Sequence, residues 1–251
     1  MKTSKRMIKL MSAAICVAMF SAALPSSAQE MPEVEVYAEA VSKYVWRGMV
    51  LTDDPVVQPG VTLSMYGFSF DIWANMDLTD VNRPGKRYRV SEIDYTLSYG
   101  IEPTAGLGLE FGAILYTFPG TGDASTTELY AEVGLELPLS PTLTVYRDID
   151  EVKGWYASLE ISHDFELSER LGMEIGAGIG WGDGKNNDGY FGVDKQSLTD
   201  MSVSAGLSYA LAEGLEATAF VSYSDLLRGE LRDAAGQSGE LVGGVGLSYS
   251  F

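Results

Sequence analysis

The sequence predicts an all-β fold: a transmembrane antiparallel β-barrel of about 12 strands, with short periplasmic turns and longer extracellular loops. Three observations predict it. Apolar and polar residues alternate with period two in segment after segment, connections alternate between short and long, and aromatic residues gather at strand ends, the last being Phe251. After Gln29 no segment carries a sustained helical stripe, and no apolar run is long enough for a spanning helix. A soluble β-sandwich or lipocalin-like barrel would show similar alternation, with its apolar faces turned inward. The loop asymmetry, the aromatic ends and the terminal Phe251 favour the membrane form.

The first 28 residues read as a cleaved export signal. Lys2, Lys5, Arg6 and Lys9 precede the apolar run Met11 to Leu24, and Ser26 and Ala28 offer small residues for cleavage before Gln29. Bulky Ile15 before Cys16 argues against a lipoprotein signal. Residues 29–251 then form one barrel domain without cysteine, so no disulfide framework supports it. They carry 13 Lys and Arg against 35 Asp and Glu, a net charge of −22, which argues against nucleic acid as a partner.

Strands are expected near 33–47, 58–66, 68–77, 89–99, 106–117, 127–137, 142–149, 155–165, 171–181, 199–210, 215–225 and 240–251. The pattern is plainest late in the chain. Leu171, Met173, Ile175, Ala177, Ile179 and Trp181 alternate with Gly172, Glu174, Gly176, Gly178 and Gly180. Met201, Val203, Ala205, Leu207 and Tyr209 oppose four serines and glycines, and Leu241, Val245, Leu247, Tyr249 and Phe251 oppose Val242, Gly244, Gly246, Ser248 and Ser250. The turns "YGF", "GIEPTAG", "PLSP", "LSERLG" and "LAEG" are tight, whereas "GDGKNNDGYFGVDKQS" typifies the other end. An even strand count returns both termini to the periplasm.

Parity through the first strand puts Tyr44 and Trp46 on the lipid face, in an aromatic girdle with Trp181, Tyr209, Tyr249 and Phe251, and turns Lys43 and Arg47 into the lumen. Gly48 opens the first external loop, and Pro59, lacking an N–H, belongs at a strand start or bulge. The stretch "SKYVWRG" followed by "DDPVVQPGVTL" resembles the opening of the TorF-type family of outer-membrane porins, over residues 42 to about 75. The resemblance implies an outer-membrane barrel with a pore in a Gram-negative bacterium. It carries over only Tyr44, Trp46, Arg47, Gly48 and Pro59, as structural hallmarks, and no catalytic residue.

The same parity lines the lumen with carboxylates: Glu35, Glu39, Asp71, Glu92, Asp94, Glu110, Glu128, Glu132, Glu160 and Glu174, joined by Asp77, Glu136, Asp164 and Glu216. Only Lys43 and Arg47 oppose them, within reach of Glu128, Glu132 or Glu92. Twelve strands fall between barrels that side chains fill and those that hold open channels. The expectation is a passive porin-like channel for small solutes, preferring cations through its acidic lumen. The alternative is a non-conducting structural or adhesive barrel with a filled lumen.

Enzyme chemistry has little support. The one histidine, His163, lies between Ser162 and Asp164, and neighbours on a strand point to opposite faces, so the three form no triad. Neither a metal site nor a cofactor is expected. "DGKNNDG", Asp183 to Gly189, departs from a calcium loop at Lys185 and lacks the closing Glu, so a flexible external loop is expected across 182–198. Arg83, Lys86, Arg87 and Arg89 in "NRPGKRYR" are candidates for lipopolysaccharide phosphates at the outer leaflet, with pairing to Asp77 and Asp80 as the simpler role. Other expected partners are outer-membrane lipids, and periplasmic chaperones and the barrel-assembly machinery through the strand ending at Phe251. An autotransporter translocator is disfavoured, since about four residues separate the cleavage site from the first strand.

Overall fold

The computed structural model describes residues 32–251, and the expected export signal lies outside the described residues. Twelve strands close into one antiparallel barrel: β1 (Glu33–Val41), β4 (Val56–Met65), β5 (Phe68–Asp77), β6 (Arg89–Thr104), β7 (Leu107–Thr117), β8 (Thr126–Leu135), β9 (Thr142–Asp148), β10 (Trp155–Glu166), β11 (Leu171–Gly182), β12 (Ser197–Ala212), β13 (Leu215–Leu226) and β14 (Glu240–Ser250). Two further strands, β2 (Tyr44–Trp46) and β3 (Met49–Thr52), form a separate hairpin. Helices α1 (Gly184–Phe191) and α2 (Gly229–Ala235) occupy two of the long connections.

Each strand pairs with its sequence neighbour, and β1 closes the ring by pairing with β4 on one side and β14 on the other, Glu35 opposite Ser250. Closure satisfies every strand edge, the condition for backbone inside a hydrocarbon layer. One end has tight turns, such as Tyr66-Gly67, where both residues take positive φ as a two-residue hairpin with right-handed twist requires. The other end carries the hairpin, both helices and the longer loops. Pro59 falls where the β4–β5 ladder is interrupted between Val57–Met76 and Gly60–Trp73, so its missing N–H leaves no gap in a regular pairing.

The burial pattern is the inverse of a soluble protein's. Leu97, Phe111, Leu129, Leu159, Val203, Val221 and Leu247 are exposed on the outer wall, while Gln58, Asn75, Glu128, Asp148 and Thr199 are fully buried inside. A water-soluble barrel would lose its main driving force with this arrangement, whereas a transmembrane one requires it. The inside is polar because every second residue of each strand must point there.

Two expectations are corrected. The first strand does not run to residue 47. The chain leaves the wall at Ser42, whose N–H donates to Gly243 O at 2.9 Å while its hydroxyl accepts from Gly243 N at 3.0 Å. Residues 44–52 then fold back as β2–β3 around Arg47-Gly48, with φ of 47° and 78°. That pair of positive φ values makes the two-residue turn, and Gly48 is needed twice over. A Cβ there would lie 2.7 Å from Asp200 Cβ. Residues 182–198 are likewise not a plain flexible loop. Asp183 caps α1, accepting from Asn186 N at 2.8 Å, and Gly192 ends it in the left-handed conformation.

Candidate functional site

The hairpin β2–β3 lies inside the barrel. Its strands are too short to span, and their side chains are buried against the lumen wall: Tyr44 and Val45 pack with Val41, Val56, Phe220 and Val242. Its base is anchored on one side by Thr52 Oγ1, which donates to Asp77 at 2.9 Å, and by Asn82, which donates to Thr52 at 2.9 Å. Gln237, just beyond α2, holds the tip side. Its Oε1 accepts from Val50 N at 2.9 Å and its Nε2 donates to Gly48 O.

Arg47, at the turn, is the centre of the arrangement. Its guanidinium makes two bonds to the Glu128 carboxylate, at 2.9 and 2.7 Å, and its Cζ stands 4.3, 4.5 and 4.0 Å from the ring centroids of Trp46, Tyr146 and Tyr156. Glu128 also accepts from the Tyr116 hydroxyl at 3.0 Å. A planar guanidinium suits both partners, since it bonds a carboxylate edge-on while stacking on aromatic faces. The tyrosines arrive by register: Tyr130, Tyr146 and Tyr156 face one another across β8, β9 and β10, with successive centroids 5.7 and 6.1 Å apart. Trp46 completes the cluster edge-on to Tyr190 of α1 at 5.0 Å.

Lys43 takes other partners than the expected ones. Its ammonium bridges Asp53 and Glu240, each at 2.7 Å, and the hydrogen bonds it donates to Asp53 and then Glu240 raise its pKa above the ordinary lysine value. Both lumen cations are therefore committed to holding the hairpin.

A cavity of about 290 Å³ runs from Glu33, Glu35, Ser64 and Ser69 at the tight-turn end to Trp46 and Arg47. On the far side of those two residues lies a separate cavity of about 10 Å³, bounded by Met49, Asn186, Tyr190 and Thr199, room for a single water. The hairpin thus lies against the acidic vestibule, with its turn at Arg47 among the lining residues.

The sequence-predicted residues divide around this hairpin. Glu35, Glu39, Lys43, Arg47, Asp71, Asp94, Glu110 and Glu160 line the vestibule. Glu92, Glu128 and Glu132 are buried in the polar interior; Tyr44 hydrogen-bonds Glu92, and Thr144 donates to Glu132 at 3.0 Å. Glu174 stands on β11 opposite Asp164 and Gly206, clear of the vestibule. Tyr209, Tyr249 and Phe251 are exposed on the outer wall near the tight-turn end, and Trp181 is half-buried near the other. Tyr44 and Trp46 are not in that girdle. The bend at Ser42 carries them inside, where Tyr44 is 5% exposed and packs 5.5 Å from Trp73. His163 bonds Pro138 O through Nδ1 at 2.6 Å and meets Phe165 edge-on, away from the vestibule. Sequence reading passed over Tyr116, Tyr146, Tyr156 and Asp200, although inward parity on their strands was a signal for each.

The family model described as MltA-interacting protein MipA matches residues 36–251. The chain belongs to the MipA family. The match spans the barrel from within β1 to Phe251, the hairpin included. Among solved structures, the NanC porin covers 86% of this chain and 98% of its own, at 11% identity and a TM-score of 0.53. The KdgM porin in complex with disordered oligogalacturonate covers 87% and 99%, at 14% identity and 0.54. At such identities the likeness shows a shared barrel fold. Comparison with curated protein sequences finds no match.

Proposed function

We propose that this MipA-family chain is a narrow outer-membrane channel for small cationic solutes, stopped at its outer mouth by the β2–β3 hairpin. The observation that carries the reading is the vestibule walled by Glu35, Glu39, Asp71, Asp94 and Glu160, whose lining cations among the described residues, Lys43 and Arg47, are paired at the hairpin. Carboxylate rings favour cations and repel anions. Export through a signal at 1–28, the porin-like fold and the TorF-like opening segment support outer-membrane placement with the tight turns in the periplasm. In that orientation the exposed Lys86, Arg87 and Arg89 face lipopolysaccharide phosphates, and the strand ending at Phe251 faces the periplasmic chaperones and the assembly machinery.

Conductance of the refolded protein in a planar bilayer under a salt gradient tests the reading. The wild type is expected to open rarely, and Arg47→Ala to conduct steadily with a cation-selective reversal potential. An Arg47→Ala barrel that shows the heat-modifiable mobility of a folded protein yet never conducts would overturn it. That outcome favours a second reading, a sealed barrel serving as a binding platform. The single-water gap behind Trp46 supports it, as does the description of the family's namesake as MltA-interacting.

A further inference from the structure

Where the vestibule wall meets the hairpin, it carries carboxylates that the hairpin's cations do not pair. Asp94 on β6 stands directly opposite Trp73 on β5, and Asp71 is opposite Thr96, two positions along. Asp71 and Asp94 are therefore diagonal neighbours on one face, within reach of a single bound group. Asp71 Oδ1 accepts from Thr62 at 2.6 Å and Tyr37 at 3.1 Å. Asp94 Oδ1 is fully buried with no hydrogen-bond donor among the described residues. Neither carboxylate forms an ion pair among the described residues, because Lys43 and Arg47 are bound elsewhere. Beside them Trp73 and Tyr44, both among the lining residues of this cavity, meet with centroids 5.5 Å apart and planes at 57°.

We propose that this corner, Asp71, Asp94 and Trp73, binds an ammonium group of an aliphatic polyamine. An ammonium supplies the donors that Asp94 lacks and is attracted to an aromatic face, whereas a neutral solute would leave the charge unpaired. Two features select an extended polycation over a metal ion. No group of three or more His, Cys, Asp or Glu among the described residues converges well enough to hold a metal. The remaining vestibule carboxylates are spread along the barrel. Glu35 and Glu39 lie four residues apart on β1, roughly 13 Å at about 3.3 Å per residue. Charges strung out in this way match a chain of amines. The inference rests on the acidic vestibule of the reading above and is independent of whether the barrel conducts.

Titration calorimetry of the refolded full chain in detergent, with spermidine as probe, tests it. Saturable binding is expected, weakened at least tenfold by the near-isosteric Asp94→Asn and by Trp73→Ala. The loop variant Asp123→Asn should leave it unchanged, and magnesium at equal charge should displace it poorly. Absence of saturable binding would overturn the proposal, as would an affinity equal in wild type and Asp94→Asn. So would displacement by magnesium as effective as by spermidine itself, which would mark diffuse attraction to an acidic surface. Binding in a barrel that no variant opens would sink the channel and keep the site, whereas conduction without binding would do the reverse.

Discussion

Two neighbouring parts of the lumen use the same acidic material in opposite ways. Around Arg47, Glu128 is neutralised, bonded by Tyr116 and enclosed by aromatic rings. Beside it, among the described residues, Asp94 Oδ1 has no donor and Asp71 no counter-charge. The first region is a finished interior that resists change. The second retains unsatisfied charge next to open space, the usual condition of a surface that awaits a ligand. The contrast teaches that an acidic interior is not one property: what matters is which carboxylates the fold itself answers.

The sharpest way to break the comparison is at Arg47. Removing it leaves Glu128 buried and unpaired, so Arg47→Ala is expected to cost about 3–5 kcal/mol in urea unfolding in micelles. The double change Arg47→Met with Glu128→Leu should recover most of that loss. Gly48→Ala acts on the same turn through backbone strain and the close approach to Asp200, costing about 1–3 kcal/mol on the same measurement. At neighbouring Asp94 the sign reverses. Asp94→Asn is expected to stabilise the empty barrel by about 1 kcal/mol, because it removes a buried charge that nothing answers. The smallest effect belongs to Lys43→Met, about 1 kcal/mol, since Asp53 is largely exposed and only Glu240 is left half-buried without its partner. A destabilised Asp94→Asn would erase the distinction between the two regions.

Much of the wall was legible in the sequence because lipid outside and polar lumen inside impose strict alternation. Along most of β11, β12 and β14 the glycines and serines mark one face and the aliphatic residues the other, Glu174, Val242 and Gly243 being the departures. The hairpin was not legible for a related reason. Alternation continues through Tyr44, Val45 and Trp46, so parity alone cannot register that the chain has left the wall at Ser42. Tyr and Trp also suit either a headgroup boundary or a polar interior, so their identity did not break the tie. Helix α1 was hidden because its residues are polar on every side, and its only local signals were the caps Asp183 and Gly192. Arg47 with Glu128 was among the pairings that parity allowed. Lys43 with Asp53 and Glu240 was outside that set, because it depends on the bend.

The closure of β1 on β14 bears on the order of assembly. Those strands come from opposite ends of the barrel sequence, and their pairing is the contact of greatest sequence separation in the molecule. Contacts of that kind form late, since the chain must surrender the most freedom before they are rewarded. The β2–β3 hairpin, in contrast, is a local unit tethered between β1 and β4. It can form early and wait on the concave side of a curling sheet, to be enclosed when the final seam zips. A chain whose hairpin misses that moment would complete the same ring with its stop left outside, a stable misassembly that unfolding alone could undo.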